Sequence, residues 1–256
     1  LCLVNRMELP YARIVLEKAL AIGENVIGSE HIGVASIVSN LGKVLKEQSD
    51  LVGAKRCRER ALAIDEKALG PENTSVATDV NNLGSVLIAQ GDLKGAKECY
   101  QRALAIDEKS LGPENIIVAR DINNLGSVLE AQGDLEGAKK CYQRALTIAD
   151  RALNPGNIHI AICLNNLGSV LRAQSDLVGA KRCRERALAI DEKTLGSDHT
   201  SVARDVNNLG LVLKDMGDLV GAKKCLQRAL AILEKRLGKD HPNTATVREN
   251  LRTLQE

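Results

Sequence analysis

Asn81-Asn82-Leu83-Gly84 decides how this chain is read, because the same four residues return at 123–126, 165–168 and 207–210. The leucines of these copies stand 42 residues apart. Counting on in both directions reaches Leu41, inside Ser39-Asn40-Leu41-Gly42, and Leu251, preceded by Asn250. Six leucines thus share one phase with no insertion between them. A fixed period of about 20 to 50 residues marks stacked supersecondary units, each shielding its neighbour's apolar side, rather than one closed core. The 256 residues therefore read as one array of the all-α class.

Composition points the same way. Hydrophobic residues make up 44% of the chain but aromatics only 1%, with no Trp or Phe. A core of Ala, Leu, Val and Ile suits thin layers of packed helices better than a β-sandwich. A formal net charge of +2 and three tyrosines supply neither a polyanion-binding surface nor stacking platforms for single-stranded nucleic acid. No apolar run approaches 18 residues and no signal-peptide pattern occurs, so neither membrane insertion nor export is expected, and a cytoplasmic location is. Five of the seven cysteines (Cys57, Cys99, Cys141, Cys183, Cys225) hold one repeat position. Neighbouring helices lie about 8–10 Å apart and a disulfide needs about 7 Å, so these read as small buried hydrophobes. No Cys/His cluster, P-loop, GxSxG or HExxH occurs. No metal ligand, cofactor or catalytic residue is therefore expected, and the chain does not read as an enzyme.

The period divides the chain into a partial unit at 1–28 (the end of a first helix, A, plus a second, B), complete units at 29–70, 71–112, 113–154, 155–196 and 197–238, and a lone helix A at 239–256. In the unit 71–112, Asn73 and Thr74 are helix-capping types, and Val76, Val80, Leu83, Gly84 and Leu87 recur at helical spacing. This is helix A. Gly91 and Asp92 break it, Asp92 caps the next helix, and helix B runs from Leu93 to Leu111 with Ala96, Cys99, Tyr100, Ala103, Leu104 and Ile106 inward. Gly112 and Pro113 stop it, the glycine in a left-handed conformation; Asn154 is expected to substitute where that glycine is missing. The Asp-Glu-Lys runs at 65–67, 107–109 and 191–193 read as solvated helix faces. The four histidines, His31, His159, His199 and His241, stand at the turns that begin A helices and read as capping or loop residues.

Leu83, Gly84, Leu87, Gly91, Ala96, Tyr100 and Ala103 reproduce the spacing of large and small packing positions in the tetratricopeptide repeat, and the extended helix B resembles the long form found in kinesin light chains. The resemblance covers nearly the whole chain. It implies an α-solenoid of stacked antiparallel hairpins, a tetratricopeptide superhelix with A helices lining a concave face. Two departures stand out: the aromatic position of helix B is Arg58 in the first full unit and Arg184 in the fourth, and a His-Pro pair precedes helix A only at His241-Pro242. Residues 48–84 and 174–210 are nearly the same sequence, 126 residues apart, which reads as duplication of a three-unit block.

On a helical wheel, Thr78, Asn81, Ser85, Ile88 and Ala89 lie opposite the apolar stripe, with Asn82 at the edge of the exposed arc. Other units place Lys43, Lys46, Arg120, Arg172, Arg204 and Lys214 there, along with Glu47, Glu130 and Asp215. This mild positive bias favours an acidic or C-terminal carboxylate peptide. Asparagine is a poor helix former, about 0.5–0.7 kcal/mol worse than alanine, yet ten occupy the middles of A helices. By resemblance, Asn40, Asn82, Asn124, Asn166 and Asn208 are candidates to bond the backbone of an extended peptide, with Asn81, Asn123, Asn165, Asn207, Arg120, Arg172 and Arg204 beside them. The alternative role is a ladder of amides that pins neighbouring A helices together; the two roles can coexist. The function expected is a protein- or peptide-binding scaffold within a larger intracellular protein. The rival readings are a regulatory sensor array of a signalling NTPase or protease, and a structural solenoid that self-associates through its unpaired end helices.

Overall fold

Turn residues recurring every 42 positions cut residues 32–237 into helices of 16–19 residues. The computed structural model describes the backbone of residues 2–254 and the side chains of residues 8–254. It divides into two units, 1–132 and 133–256. The first holds α1 (Cys2–Ile27), α2 (Ile32–Glu47), α3 (Leu51–Leu69), α4 (Thr74–Gln90), α5 (Leu93–Leu111) and α6 (Ile116–Ala131). The second holds α7 (Leu135–Ala152), α8 (Ile158–Ala173), α9 (Leu177–Leu195), α10 (Thr200–Asp215), α11 (Leu219–Leu237) and α12 (Pro242–Arg252). No strand occurs among the described residues. The fold class is the α-solenoid. Helices α2/α3 and α4/α5 pair as hairpins in the first unit, α8/α9 and α10/α11 in the second, and each B helix also packs on the A helix that follows it in its unit.

Local chemistry sets each boundary. The B helices α3, α5, α7, α9 and α11 start where an aspartate side chain accepts from the backbone N–H three residues on, as Asp92 does from Gly95 at 2.9 Å. A helices start at Asn73, Asn115 and Asn157, or at His31, His199 and His241, whose Nδ1 accepts from the backbone two residues on. His159 lies instead in the first turn of α8. After helix B the chain does not take the left-handed helical conformation expected of it. Gly112 sits at φ 84°, ψ 153°, a region only glycine enters readily. Asn154 does not substitute for it: α7 ends one residue early and Leu153 takes ordinary extended backbone, so no positive φ is needed.

At the start of the chain, α1 runs unbroken across the point where a stub of helix A was expected to end. Arg6, Met7 and Glu8 stand where Gln48, Ser49 and Asp50 make the turn one unit later; the capping aspartate is absent, and the helix continues with Pro10 inside it. Side chains 1–7, on which the stub depends, lie outside the described residues.

Between the helices the core is small and layered. Val76, Ala77 and Val80 of α4 meet Ala103 and Ile106 of α5, while Leu83 and Leu87 meet Ala96, Tyr100 and Val128. The same layers recur in the second unit, where Val202, Ala203 and Val206 meet Leu226, Ala229 and Ile232. Among the described residues six cysteines are free thiols; Cys163 is buried, and the five at the shared position are half-buried along the seam rather than enclosed. No helix among the described residues is long and apolar enough to cross a membrane.

Candidate functional site on the A helices

Asparagines at the middle of an A helix meet the next A helix of the same unit. Asn81 Nδ2 donates to Asp121 Oδ1 at 2.8 Å, and Asn124 Nδ2 donates to Asn81 Oδ1 at 2.9 Å. In the second unit Asn165 Nδ2 donates to Asp205 Oδ1 at 2.8 Å, and Asn250 Nδ2 to Asn207 Oδ1 at 2.9 Å. The wheel put Asn81 at the centre of the exposed arc. Asn81 and Asn165 are in fact each only 7% exposed, because the neighbouring A helix covers that flank. Asn40 is exposed and Asn82 half-buried, and neither makes a side-chain hydrogen bond among the described residues. Asn208 is half-buried and accepts from Asn207 at 3.3 Å; Asn123 and Asn166 are half-buried too. The second asparagine of the motif is thus tied sideways at Asn124 and Asn250 but uncommitted at Asn40 and Asn82.

Asn81→Ala is expected to lower stability by about 1–3 kcal/mol, since it strips a buried carboxylate and a neighbouring amide of a partner at once. Urea unfolding checks this, and an unchanged midpoint would remove the ladder from the forces holding α4 to α6.

The three candidate arginines are not free charges. Arg120 bonds Asp121 Oδ1 through Nε (3.0 Å) and Nη2 (2.8 Å) and reaches Asp107 at 3.6 Å. Arg204 repeats this with Asp205 and, at 3.6 Å, Asp191. Arg172 pairs with Asp215. Three of the cations behind the positive bias of the face are therefore neutralised within it.

The Arg120 and Arg204 pairs rest on buried carboxyl pairs, one member of each drawn from an Asp-Glu-Lys run that the sequence reading assigned to solvent. Asp107 and Asp121 are 0% exposed, and Asp191 and Asp205 are 1% and 0%. Each pair joins a B helix to the A helix that follows, as do half-buried Asp65 and buried Asp79. At least one oxygen on each of the six accepts no hydrogen bond, so a proton shared within each pair is what the geometry calls for. Burial and the neighbouring Asp65 push Asp79 up to about 7, against Arg58. Burial pushes Asp121 up to about 7, Arg120 opposing and Asp107 adding to it, and burial with Asp205 pushes Asp191 up to about 6. A signal for these pairs was present in the sequence. The equivalent positions elsewhere change together, to Ala149 with Cys163 and to Leu233 with Val247. Both members are acidic or both are apolar, as facing residues must be.

Beside this network lie two open cavities of the second unit. One, of about 410 Å³, is lined by Thr200, Ser201, Arg204, Asn207, Asn243 and Thr246 over an apolar floor of Leu233 and Val247. The other, of about 390 Å³, is lined by Ser169, Arg172, Ala173, Arg184, Asn208 and Asp215. Arg184, which departs from the aromatic packing position of helix B, is part of this polar floor.

The sequence profile of the tetratricopeptide repeat family matches residues 35–109, 74–151, 118–193, 159–219 and 205–251, most of the chain. The chain belongs to the tetratricopeptide repeat family. Solved structures place this tetratricopeptide array beside kinesin-light-chain-like ones. BtubC (BKLC) from P. vanneervenii aligns with a TM-score of 0.74 at 24% identity, covering 93% of each chain. The nearly identical TPR-like repeats of a Podosopora anserina protein assigned as a kinesin light chain align at 0.68 and 22%, covering 81% of this chain and 98% of that one. A single-substitution form of those repeats aligns at 0.69 and 22%, covering 80% and 97%. At these identities the likeness is one of fold. No curated protein sequence matches the tetratricopeptide array.

Proposed function

We propose that this chain is a protein-binding scaffold that takes an extended peptide along the A-helix face, the role that tetratricopeptide arrays generally serve. One observation carries the reading: the ladder amides are satisfied sideways, whereas Asn40 and Asn82, on the same face, keep donor and acceptor uncommitted. An amide with both groups free can bond a peptide backbone without demanding a sequence. The cost of holding asparagine in a helix is offset by the ladder at Asn81; at Asn82 no such bond offsets it, and a ligand supplies the reason.

The test is the double substitution Asn40→Ala and Asn82→Ala, read by thermal unfolding and by binding to a peptide library. Stability is expected to hold or rise by roughly 0.5–0.7 kcal/mol per site while peptide binding falls. A variant that binds as well as the parent excludes these two amides from the ligand site. No cofactor enters this reading, and the chain acts by binding rather than catalysis.

A further inference from the structure

The seams between a B helix and the A helix that follows it are built on one pair of positions, and the pair is acidic at only some of them. It is Asp65 with Asp79 at α3/α4, Asp107 with Asp121 at α5/α6 and Asp191 with Asp205 at α9/α10. It is Gly23 with Ile37 at α1/α2, Ala149 with Cys163 at α7/α8 and Leu233 with Val247 at α11/α12. Burial pushes the Cys163 thiol up to about 11, so the α7/α8 seam carries no charge near neutrality.

The acid pairs are not matched by equal numbers of cations. Two positions can supply an arginine: the residue before the second aspartate, on helix A, and the packing position of helix B that holds tyrosine in α5 and α7. At α9/α10 both are arginine. Arg204 bonds Asp205 and reaches Asp191 at 3.6 Å. Arg184, 4% exposed, stands one amide away, donating to Asn165 Oδ1 at 2.7 Å while Asn165 donates from α8 to Asp205. At α5/α6, Tyr100 holds the B-helix position and Arg120 is the one arginine of the two positions. Asn81 of α4 also faces Asp121, and the Tyr100 phenol beside it, pushed up to about 12 chiefly by burial, stays neutral. At α3/α4, exposed Thr78 holds the A-helix position, which leaves Arg58 of α3, with Ser39 of α2, to face Asp79.

While a pair keeps one proton, a single carboxylate stands against the available arginine. Loss of that proton at α3/α4 or α5/α6 sets two carboxylates against one guanidinium, where Asp79 is buried and Asp107 and Asp121 are 0% exposed. A buried charge without a counter-charge is the costliest group a fold can hold, and admitting water relieves it. At α9/α10 two carboxylates meet two guanidinium groups.

We propose that the α3/α4 and α5/α6 seams are proton-operated joints: each stays closed while its acid pair holds a proton, and its B helix parts locally from the following A helix when the proton leaves, whereas the second arginine restrains α9/α10. Opening is local because in a stack of repeats each seam is a separate nearest-neighbour contact. Asp79 and Asp121 are raised to about 7, so the joints are closed in mild acid and open as pH rises through neutrality. This device is independent of the peptide-binding reading.

The experiment measures amide hydrogen exchange along the full chain at pH 5 and pH 8, with labelling times scaled to the intrinsic exchange rate. Protection of residues 59–69 with 74–82, and of 101–111 with 116–124, is expected to fall at least about tenfold at pH 8. Residues 185–195 with 200–208 should lose much less, and residues 143–152 with 158–166 should not change. Thr78→Arg, at an exposed position, gives α3/α4 the second cation of α9/α10 and should restore its protection at pH 8 without effect at pH 5. Arg204→Thr should make α9/α10 open at pH 8 as α3/α4 does. A fall of equal size at every seam, α7/α8 included, or no fall at any, overturns the joints. So does a pH response of α3/α4 that Thr78→Arg leaves unchanged, a result that decides the matter even if Arg204→Thr does not fold.

Discussion

Asp107→Asn is expected to stabilise the fold by about 1.5–3 kcal/mol at pH 8 and to change it little at pH 4. The reason lies in what each pH does to the pair. Asp107 and Asp121 are sealed from solvent between α5 and α6, and both oxygens of Asp107 and one of Asp121 lack a partner when ionised. At pH 4 a proton sits between them and acts as the missing donor. At pH 8 that proton is gone and two carboxylates face each other, with Arg120 and Asn81 holding only Asp121 Oδ1 by hydrogen bonds. An amide at position 107 supplies a donor that no base removes.

The parent chain should show the corresponding pH profile. Unfolded aspartate titrates near 3.8, whereas folded Asp79 and Asp121 are pushed up to about 7 and Asp191 to about 6. A raised folded value means the folded state holds its protons longer. The contribution of the pairs is therefore complete below about pH 4, is lost as pH rises to about 7, and stays constant above it. Exposed ion pairs such as Lys67–Glu30 and Lys235–Asp198 lower their carboxyls and work in the opposite sense, but in acid and weakly. Urea unfolding of the parent and of Asp107→Asn at pH 4, 6 and 8 checks both statements. A substitution equally stabilising at all three pH values, or destabilising at pH 8, would refute the shared proton.

Tyr100→Ala is expected to cost about 3–5 kcal/mol. The ring is 3% exposed and packs with Leu83, Leu87, Ala96 and Val128. It also lies directly on Gly84: a methyl group there would stand 2.9 Å from Tyr100 Cε1, so glycine is required by the close approach rather than by its backbone angles. Tyr100→Leu, the residue found as Leu226 in α11, is the control and should cost under about 1.5 kcal/mol. If alanine and leucine cost the same, the layer is softer than its packing indicates.

Recurrence of one word every 42 residues made the helix count, the hairpin order and the Ala, Leu and Val layers legible, because a stacked unit can bury its apolar side only by repeating the same small and large residues at the same places. The capping aspartates were legible for a similar reason, since one side chain and one nearby N–H suffice. The carboxyl pairs were missed because the B-helix aspartate of each lies in an Asp-Glu-Lys run that, on its own helix, looks solvent-facing. Its burial is imposed by the next helix, and only the linked change to Ala149 with Cys163 or Leu233 with Val247 betrayed the contact.

For the candidate site the division is the same. The sequence by itself determined that asparagines punctuate every A helix and that arginine replaces an aromatic at 58 and 184. Only the tertiary structure decided that Asn81 and Asn165 turn into the seam while Asn82 does not, and that Arg184 reaches through its hairpin to a cavity. A helical wheel knows one helix, whereas the direction in which a polar side chain is satisfied depends on the donor or acceptor the neighbouring helix brings within about 3 Å.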